Sequence, residues 1–218
     1  MVKEYIIVDF DGTIYFGDIN WTINLCKKIS KKYKIILATG RKYSDFKKFF
    51  PKKLLSYFDF MIFSNGAIVY GDDGLTYSPI PTECLLILEK HLKGWSICED
   101  ASGNKYVEAF GNREIIRVQN FTDNIEDYIW NINLINSMSL QFVSEKLGGI
   151  SIYGQNVNKF RTSIKRLQDK GGVLTRTIGN DINDVSLFLD SKIKYLNLET
   201  KELKGVEEKI AAFLEIDW

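Results

Sequence analysis

Two carboxylates, one residue apart, follow an apolar run near the start of the sequence. The run at residues 5–8 is rich in β-branched side chains, which is typical of a strand buried on both faces, and it stops at Asp9 and Asp11. In open α/β sheets, ligands bind just beyond the carboxyl ends of parallel strands. Two acids at such an edge concentrate negative charge and favour a hard cation such as Mg²⁺. The alternative is an Asx turn, in which both side chains only cap backbone amides.

Three further apolar runs also end in polar groups. They end at Thr39-Gly40-Arg41, at Ser64-Asn65, and at residues 179–184, which read Gly-Asn-Asp-Ile-Asn-Asp. A parallel sheet brings such strand ends to one edge, where hydroxyl, amide and backbone N–H groups can face an anion. Lys159, at the predicted start of a helix with Asn158 as its cap, adds a cation near the same edge.

These groups suit phosphoryl transfer. That reaction needs a nucleophile in line, a metal ion to offset charge, and donors for the equatorial oxygens. A carboxylate nucleophile would give an acyl-phosphate intermediate and so divide one difficult displacement into two easier ones. A second carboxylate could donate a proton to the leaving oxygen and later accept one from water.

The composition excludes several other classes of protein. The chain has 218 residues, of which 45% are hydrophobic and 26% charged, as in an ordinary globular protein of one large or two modest domains. A net charge of +1 gives no reason to expect a nucleic-acid or membrane partner, and no apolar stretch approaches the ~20 residues of a membrane span. We expect a monomer or a weak homodimer.

Cysteine and histidine usage narrows the chemistry further. Three scattered cysteines without a CxxC pair favour a reducing compartment, and the first strand begins too early for a signal peptide, so we expect a cytoplasmic protein. His91 is the only histidine and lies in a helical pattern, which excludes a two-histidine metal site. Neither a GxxxxGK[ST] loop nor a GxGxxG turn is present, so carboxylates must carry any catalysis.

The order of the predicted elements indicates two domains. Strands and helices alternate before Pro79 and after Asn158, which predicts an α/β fold with a Rossmann-like parallel sheet and helices on both faces, built from residues 1–80 and 157–218. Residues 81–156 read as a small inserted α+β domain, with strands predicted at 96–100, 106–110 and 114–119. Prolines 79 and 81 mark the boundary.

In order and spacing, these motifs resemble those of the haloacid dehalogenase-like (HAD) superfamily. Residues 9–13 (Asp-Phe-Asp-Gly-Thr) resemble its first motif, residues 39–41 the second motif in its Cof-type form, residues 64–67 a segment frequent in that branch, Lys159 the third-motif lysine, and residues 179–184 the fourth motif. The resemblance covers about two thirds of the chain, and the inserted domain is similar to the α/β cap of subfamily IIB.

The resemblance implies a role for each matching residue. Asp9 would be the nucleophile and a metal ligand, and Asp11 the general acid/base and a metal ligand through its backbone carbonyl. Thr39 and Lys159 would hold the phosphoryl group, and Asp184 would support the metal shell or Lys159. The remaining positions expected on the substrate side are Gly40, Arg41, Asn65 and Asn183.

Three assignments stay open. Asn180 stands where the family usually has a metal-binding aspartate, and Asp181 next to it is the alternative ligand. Lys165 competes with Lys159 for the third-motif position but lies too near the fourth motif, so Lys159 is favoured. Arg41 would either contact phosphate or anchor its loop through a salt bridge.

The function expected from these features is a Mg²⁺-dependent phosphatase that acts on a small phosphorylated metabolite, such as a sugar phosphate, through an aspartyl-phosphate. The cap would exclude water and supply specificity, with Lys105, Arg113 and Arg117 as candidate contacts. The alternatives are a phosphomutase of the phosphomannomutase kind and a non-catalytic protein that binds a phosphorylated ligand.

Overall fold

A computed structural model describes residues 3–91, 96–97, 115–119, 125–144, 150–180, 182–188, 190–198 and 203–217. The predicted strand at 106–110, the cap candidates Lys105 and Arg113, and the metal candidate Asp181 lie outside these residues. The chain folds into two compact units, which are Met1–Thr76 with Asn158–Trp218, and Tyr77–Val157. The assignment of these units as a core and a cap domain, with the boundaries expected from the sequence, remains a prediction.

Strands and short helices alternate in the first part of the chain. They are β1 (Glu4–Val8), α1 (Ile19–Ile29), β2 (Lys34–Ala38), α2 (Tyr43–Phe49), α3 (Lys52–Leu55), β3 (Phe58–Phe63), β4 (Ile68–Gly71) and β5 (Gly74–Tyr77). Asp18 caps α1, because its carboxylate accepts from the amides of Asn20 at 2.8 Å and Trp21 at 3.1 Å.

The middle part of the chain forms the second unit. Its described elements are α4 (Thr82–His91), β6 (Ser96–Ile97), β7 (Ile115–Gln119), α5 (Ile125–Ser137), β8 (Gln141–Ser144) and β9 (Ile150–Tyr153). The four strands make one antiparallel sheet in the order β6-β7-β9-β8. Apolar side chains from α4, α5 and β9 form a core of their own, which includes Leu85, Leu88, Ile135 and Ile152.

The chain then returns to the first unit. The last elements are α6 (Lys159–Lys170), β10 (Val173–Gly179), β11 (Lys194–Asn197) and α7 (Val206–Leu214). Asn158 caps α6, as predicted, because its side chain accepts from the Arg161 amide at 2.8 Å. Residues Ile182–Phe188 form tight 3₁₀ turns, whereas the sequence predicts a short helix at 185–189. A bond from the Asn180 amide to Asp184 Oδ2, at 2.9 Å, draws this segment into a turn.

The first unit is built on one seven-stranded sheet of order β11-β10-β1-β2-β3-β4-β5. The first five strands in that order pair in parallel, and β4 pairs with β3 in the antiparallel sense. Strand β1 therefore lies between β2, which follows it closely in sequence, and β10, which comes from the far end of the chain. The predicted α/β fold with one sheet assembled from two pieces is confirmed.

Both faces of the central strands are buried. Ile7, Ile36 and Ile62 pack on one face with Leu167 of α6, and the alternating residues Ile6 and Ile35 on the other face are equally inaccessible. This burial explains the continuous apolar runs in the sequence. None of the described helices combines the length and the apolar character that a bilayer crossing demands.

Candidate active site

Lys159 joins two strand ends at the carboxyl edge of the sheet. Its Nζ lies 2.7 Å from Asp9 Oδ1, beyond β1, and 2.6 Å from Asp184 Oδ1, beyond β10. The side chains of Lys159 and Asp184 are fully buried, and that of Asp9 is 8% exposed. Lys165, the other candidate lysine, is exposed on the same helix. Of the side chains of Asp9, Lys159 and Asp184, only that of Asp9 reaches solvent. An anion can therefore approach the Lys159 ammonium only beside Asp9.

Burial and charge act in opposite directions on these groups. Burial raises the pKa of Asp9 to about 7, since the attraction of Lys159 offsets only part of the lost hydration and Asp184 adds repulsion. Burial alone would lower the pKa of Lys159, but the carboxylates of Asp9 and Asp184 outweigh it and raise that pKa. Lys159 therefore stays charged. A further cation beside Asp9 would stabilise the ionised form of its carboxylate.

A second donor orients the Asp9 carboxylate. The Thr13 hydroxyl, which is fully buried, donates to Asp9 Oδ2 at 3.2 Å. With Lys159 on Oδ1, each carboxylate oxygen of Asp9 has at least one fixed donor, so the group has a defined orientation. No separate role was predicted for Thr13, although this residue is the last of the first motif.

The turn after β3 ties two parts of the site together. The amide of Asn65 donates to Thr39 O at 3.1 Å, and the amide of Ser64 donates to Arg41 O at 3.0 Å. Ser64, Asn65 and Gly66 all have positive φ angles, of 48°, 51° and 118°. Gly66 passes so close to α6 that a Cβ at this position would lie 2.7 Å from the Asn158 carbonyl group. The turn therefore sets the start of the helix that carries Lys159.

Asn180 lies against the loop that carries the first motif. A Cβ on Gly12, whose φ is 67°, would lie 2.1 Å from Asn180 Nδ2. The Asn180 Oδ1 atom is buried and has no hydrogen-bond partner among the residues that the structure describes. An unpaired buried carbonyl oxygen is costly, and a hard cation is a suitable partner for it.

Asp11 and Asp184 use their carboxylates within the protein. Arg41 Nε and Nη2 each lie 2.7 Å from an oxygen of Asp11, so Arg41 forms a salt bridge, and its role toward phosphate remains a prediction. Asp184 accepts from Lys159 and from the Asn180 amide, so it supports the lysine. Within the described ranges, no three acidic, thiol or imidazole side chains are grouped to hold a metal.

The other predicted residues lie at the same edge. Thr39 follows β2, is 1% exposed, and accepts from the Arg41 amide at 3.1 Å through its Oγ1. Gly40 lies between them, and Asn65 is buried in the turn after β3. Asn183 lies in the 3₁₀ segment after β10. Their roles toward a substrate remain predictions.

Residues 6–98 match the model of the haloacid dehalogenase-like hydrolase family. No curated protein sequence matches the chain. This match confirms the resemblance predicted from the motifs, and solved structures of HAD/COF-like hydrolases and sugar phosphatases share the fold of this chain.

Solved structures share the fold at low sequence identity. A sucrose-phosphatase from Synechocystis sp., in complex with sucrose and phosphate, is 15% identical with a TM-score of 0.70 and covers 99% of both chains. A Plasmodium vivax protein assigned as a HAD/COF-like hydrolase is 16% identical with a TM-score of 0.66, over 98% of this chain and 94% of that one. A subclass IIB sugar phosphatase is 17% identical with a TM-score of 0.57, over 85% and 84%.

Proposed function

We propose that this protein is a Mg²⁺-dependent phosphatase that hydrolyses a small phosphorylated metabolite, a sugar phosphate or a similar phosphomonoester, through an aspartyl-phosphate. The observation that carries the proposal is the buried Lys159 between Asp9 and Asp184. Burying an ion pair costs desolvation free energy, so the pair is weak evidence for stability and better evidence for a functional role. A fixed carboxylate beside a cation at a ligand-binding edge suits attack on phosphorus.

The residues divide the reaction into two displacements. In the first, an Asp9 oxygen bonds to phosphorus, the bond from phosphorus to the leaving oxygen breaks, and Asp11 gives that oxygen a proton. Lys159 and the Thr39 hydroxyl face the phosphoryl oxygens, where negative charge is spread in the transition state. In the second, Asp11 takes a proton from water as the water attacks phosphorus and frees Asp9.

The residues present fit a magnesium ion. Asp9, the backbone carbonyl of Asp11 and the buried Oδ1 of Asn180 would hold it, and all three are oxygen ligands. Mg²⁺ would offset the charge of the transferring phosphoryl group. Because only one of these three groups is a carboxylate, we expect its affinity to be modest.

The substrate class rests on the fold neighbours. One of them is a sucrose-phosphatase and another is a subclass IIB sugar phosphatase, and their folds match most of this chain. We propose that residues 81–156 form the cap that selects the leaving group.

The test is hydrolysis of p-nitrophenyl phosphate by the whole chain. We expect turnover with Mg²⁺ and none with a chelator, because Asp9 and Lys159 alone leave the phosphoryl charge partly uncompensated. The same assay with a panel of phosphorylated metabolites defines the substrate. Release of isomers in place of phosphate would indicate a mutase. A complete lack of turnover with every compound would indicate a non-catalytic binder.

Asn180→Asp is expected to tighten Mg²⁺ binding by about tenfold, because it adds a charged ligand where a neutral amide now lies. The measurement is the rise of the melting temperature with Mg²⁺ concentration, which reports binding without turnover. Asn24→Asp, an exposed change on α1, is the control for added charge. Unchanged binding in Asn180→Asp, with binding lost in Asp181→Asn, would assign the position to Asp181.

A further inference from the structure

The proposed reaction leaves one ion pair of the candidate active site unexplained, that between Arg41 and Asp11. Arg41 Nε donates to Asp11 Oδ2 and Nη2 donates to Oδ1, both at 2.7 Å, so the planar guanidinium and the carboxylate form a bidentate salt bridge, here called the fork. The Arg41 side chain is 33% exposed and that of Asp11 is 47% exposed. A pair at this exposure adds little stability, so its geometry is the more informative feature.

Three aromatic rings surround the guanidinium. Its Cζ lies 5.6 Å from the ring centroid of Phe10, 5.8 Å from that of Tyr15 and 5.2 Å from that of Phe50. These rings also pack on each other, with centroids 4.8–5.2 Å apart. Arginine stacks on aromatic faces more readily than lysine does, so these three rings hold the guanidinium in one orientation.

The backbone of Arg41 is fixed as well. Its amide donates to Thr39 Oγ1 at 3.1 Å, and its carbonyl accepts from the Ser64 amide at 3.0 Å. Arg41 is thus held through its main chain, its ring contacts and its fork. Because it supplies a donor to each oxygen of the Asp11 carboxylate, a side chain held in this way sets the orientation of that carboxylate.

We propose that Arg41 is a positioning residue that orients the Asp11 carboxylate for proton transfer, and that it is not a phosphate ligand. This inference rests on the proposed function, in which Asp11 protonates the leaving oxygen. Misplacing this carboxylate by a fraction of its hydrogen-bond reach slows the two steps in which it transfers a proton, and kcat/KM reports the first of them, the release of the leaving group.

The test compares two substrates that differ in how much they need that proton. p-Nitrophenyl phosphate releases a stable anion, whereas phenyl phosphate releases a more basic one. In Arg41→Gln, we expect kcat/KM for phenyl phosphate to fall by roughly 10-fold more than kcat/KM for p-nitrophenyl phosphate, a part of the full effect of a general acid. Arg41→Lys should recover little of this, because lysine lacks the fork.

The double variant with Asp11→Asn isolates the pair. If Arg41 acts through Asp11, the double variant should match Asp11→Asn on both substrates. The ratio of the two substrates is measured on one sample, so partial unfolding cancels. Arg176→Gln, which breaks the arginine's pair with Glu215 outside the site, should leave that ratio unchanged.

An equal loss on both substrates, a ratio shifted in favour of phenyl phosphate, or a loss that persists beside Asp11→Asn would overturn the inference. The first and the last of these would make Arg41 a phosphate ligand or a structural residue. Lack of turnover by the unmodified chain would instead contradict the proposed function, so the two failures are distinguishable.

Discussion

Asp9→Asn is expected to abolish the proposed phosphatase activity, with kcat lowered by roughly 10⁴-fold or more. The amide cannot form the acyl phosphate, and no other described carboxylate is placed to replace it, since those of Asp11 and Asp184 are held by Arg41 and Lys159. The measurement is release of p-nitrophenol at saturating Mg²⁺, with the folded state checked by thermal unfolding.

The fold should survive this change. Asparagine has nearly the same shape, and burial already disfavours the charged carboxylate, as the raised pKa of Asp9 shows. Asp59→Asn is a matched control, because Asp59 also pairs with a lysine, Lys170 at 2.9 Å, but near the start of β3 and away from the site. Asp59→Asn should keep full activity. Activity retained by Asp9→Asn would exclude the aspartyl-phosphate route.

Lys159→Met is expected to remove both activity and a large part of the stability. Methionine fills a similar volume but leaves Asp9 and Asp184 buried without a counter-charge, which costs about 3 kcal/mol or more. For a chain of this size, that loss lowers the melting temperature by about 6–12 °C. Lys165→Met, at an exposed position of the same helix, should change the free energy of unfolding by less than about 0.5 kcal/mol.

The loss in Lys159→Met should depend on pH in a defined direction. Burial raises the pKa of Asp9 even with the lysine present, and without the lysine it rises further. Between the ordinary pKa of an aspartate, 3.8, and the raised pKa of Asp9, the folded state binds more protons than the unfolded state. The free energy of unfolding of the variant therefore falls as pH rises through this range and recovers as pH falls. Melting without metal at pH 5 and pH 8 measures this. A larger loss at the lower pH would contradict it.

Local patterns carried much of the fold. Continuous apolar runs predicted β1, β2, β3 and β10, because strands buried on both faces need apolar side chains at every position. The cap of α6 at Asn158 followed from the preference of helix starts for a side-chain acceptor. The 3₁₀ turns at Ile182–Phe188 were not predicted. They accompany a hydrogen bond from the Asn180 backbone amide to the Asp184 side chain, which apolar periodicity does not report.

The residue types that end the central strands could be identified from local patterns, and they define the chemistry that the sheet edge can offer. Apolar periodicity and turn residues act over a few positions, so they can be recognised without the fold. The choice of Lys159 over Lys165 came from the resemblance to the third motif of the haloacid dehalogenase-like superfamily.

The pairing of the charged side chains at the sheet edge depends on the tertiary structure. Lys159 reaches Asp9 across 150 positions of sequence, and Arg41 reaches Asp11 across 30. Contacts of that kind depend on strand order and on the close approach of Gly66 to α6, and no local pattern encodes them. The same residue types could equally have left Arg41 free to face phosphate. The packing of Phe10, Tyr15 and Phe50 around its guanidinium holds it beside Asp11 instead.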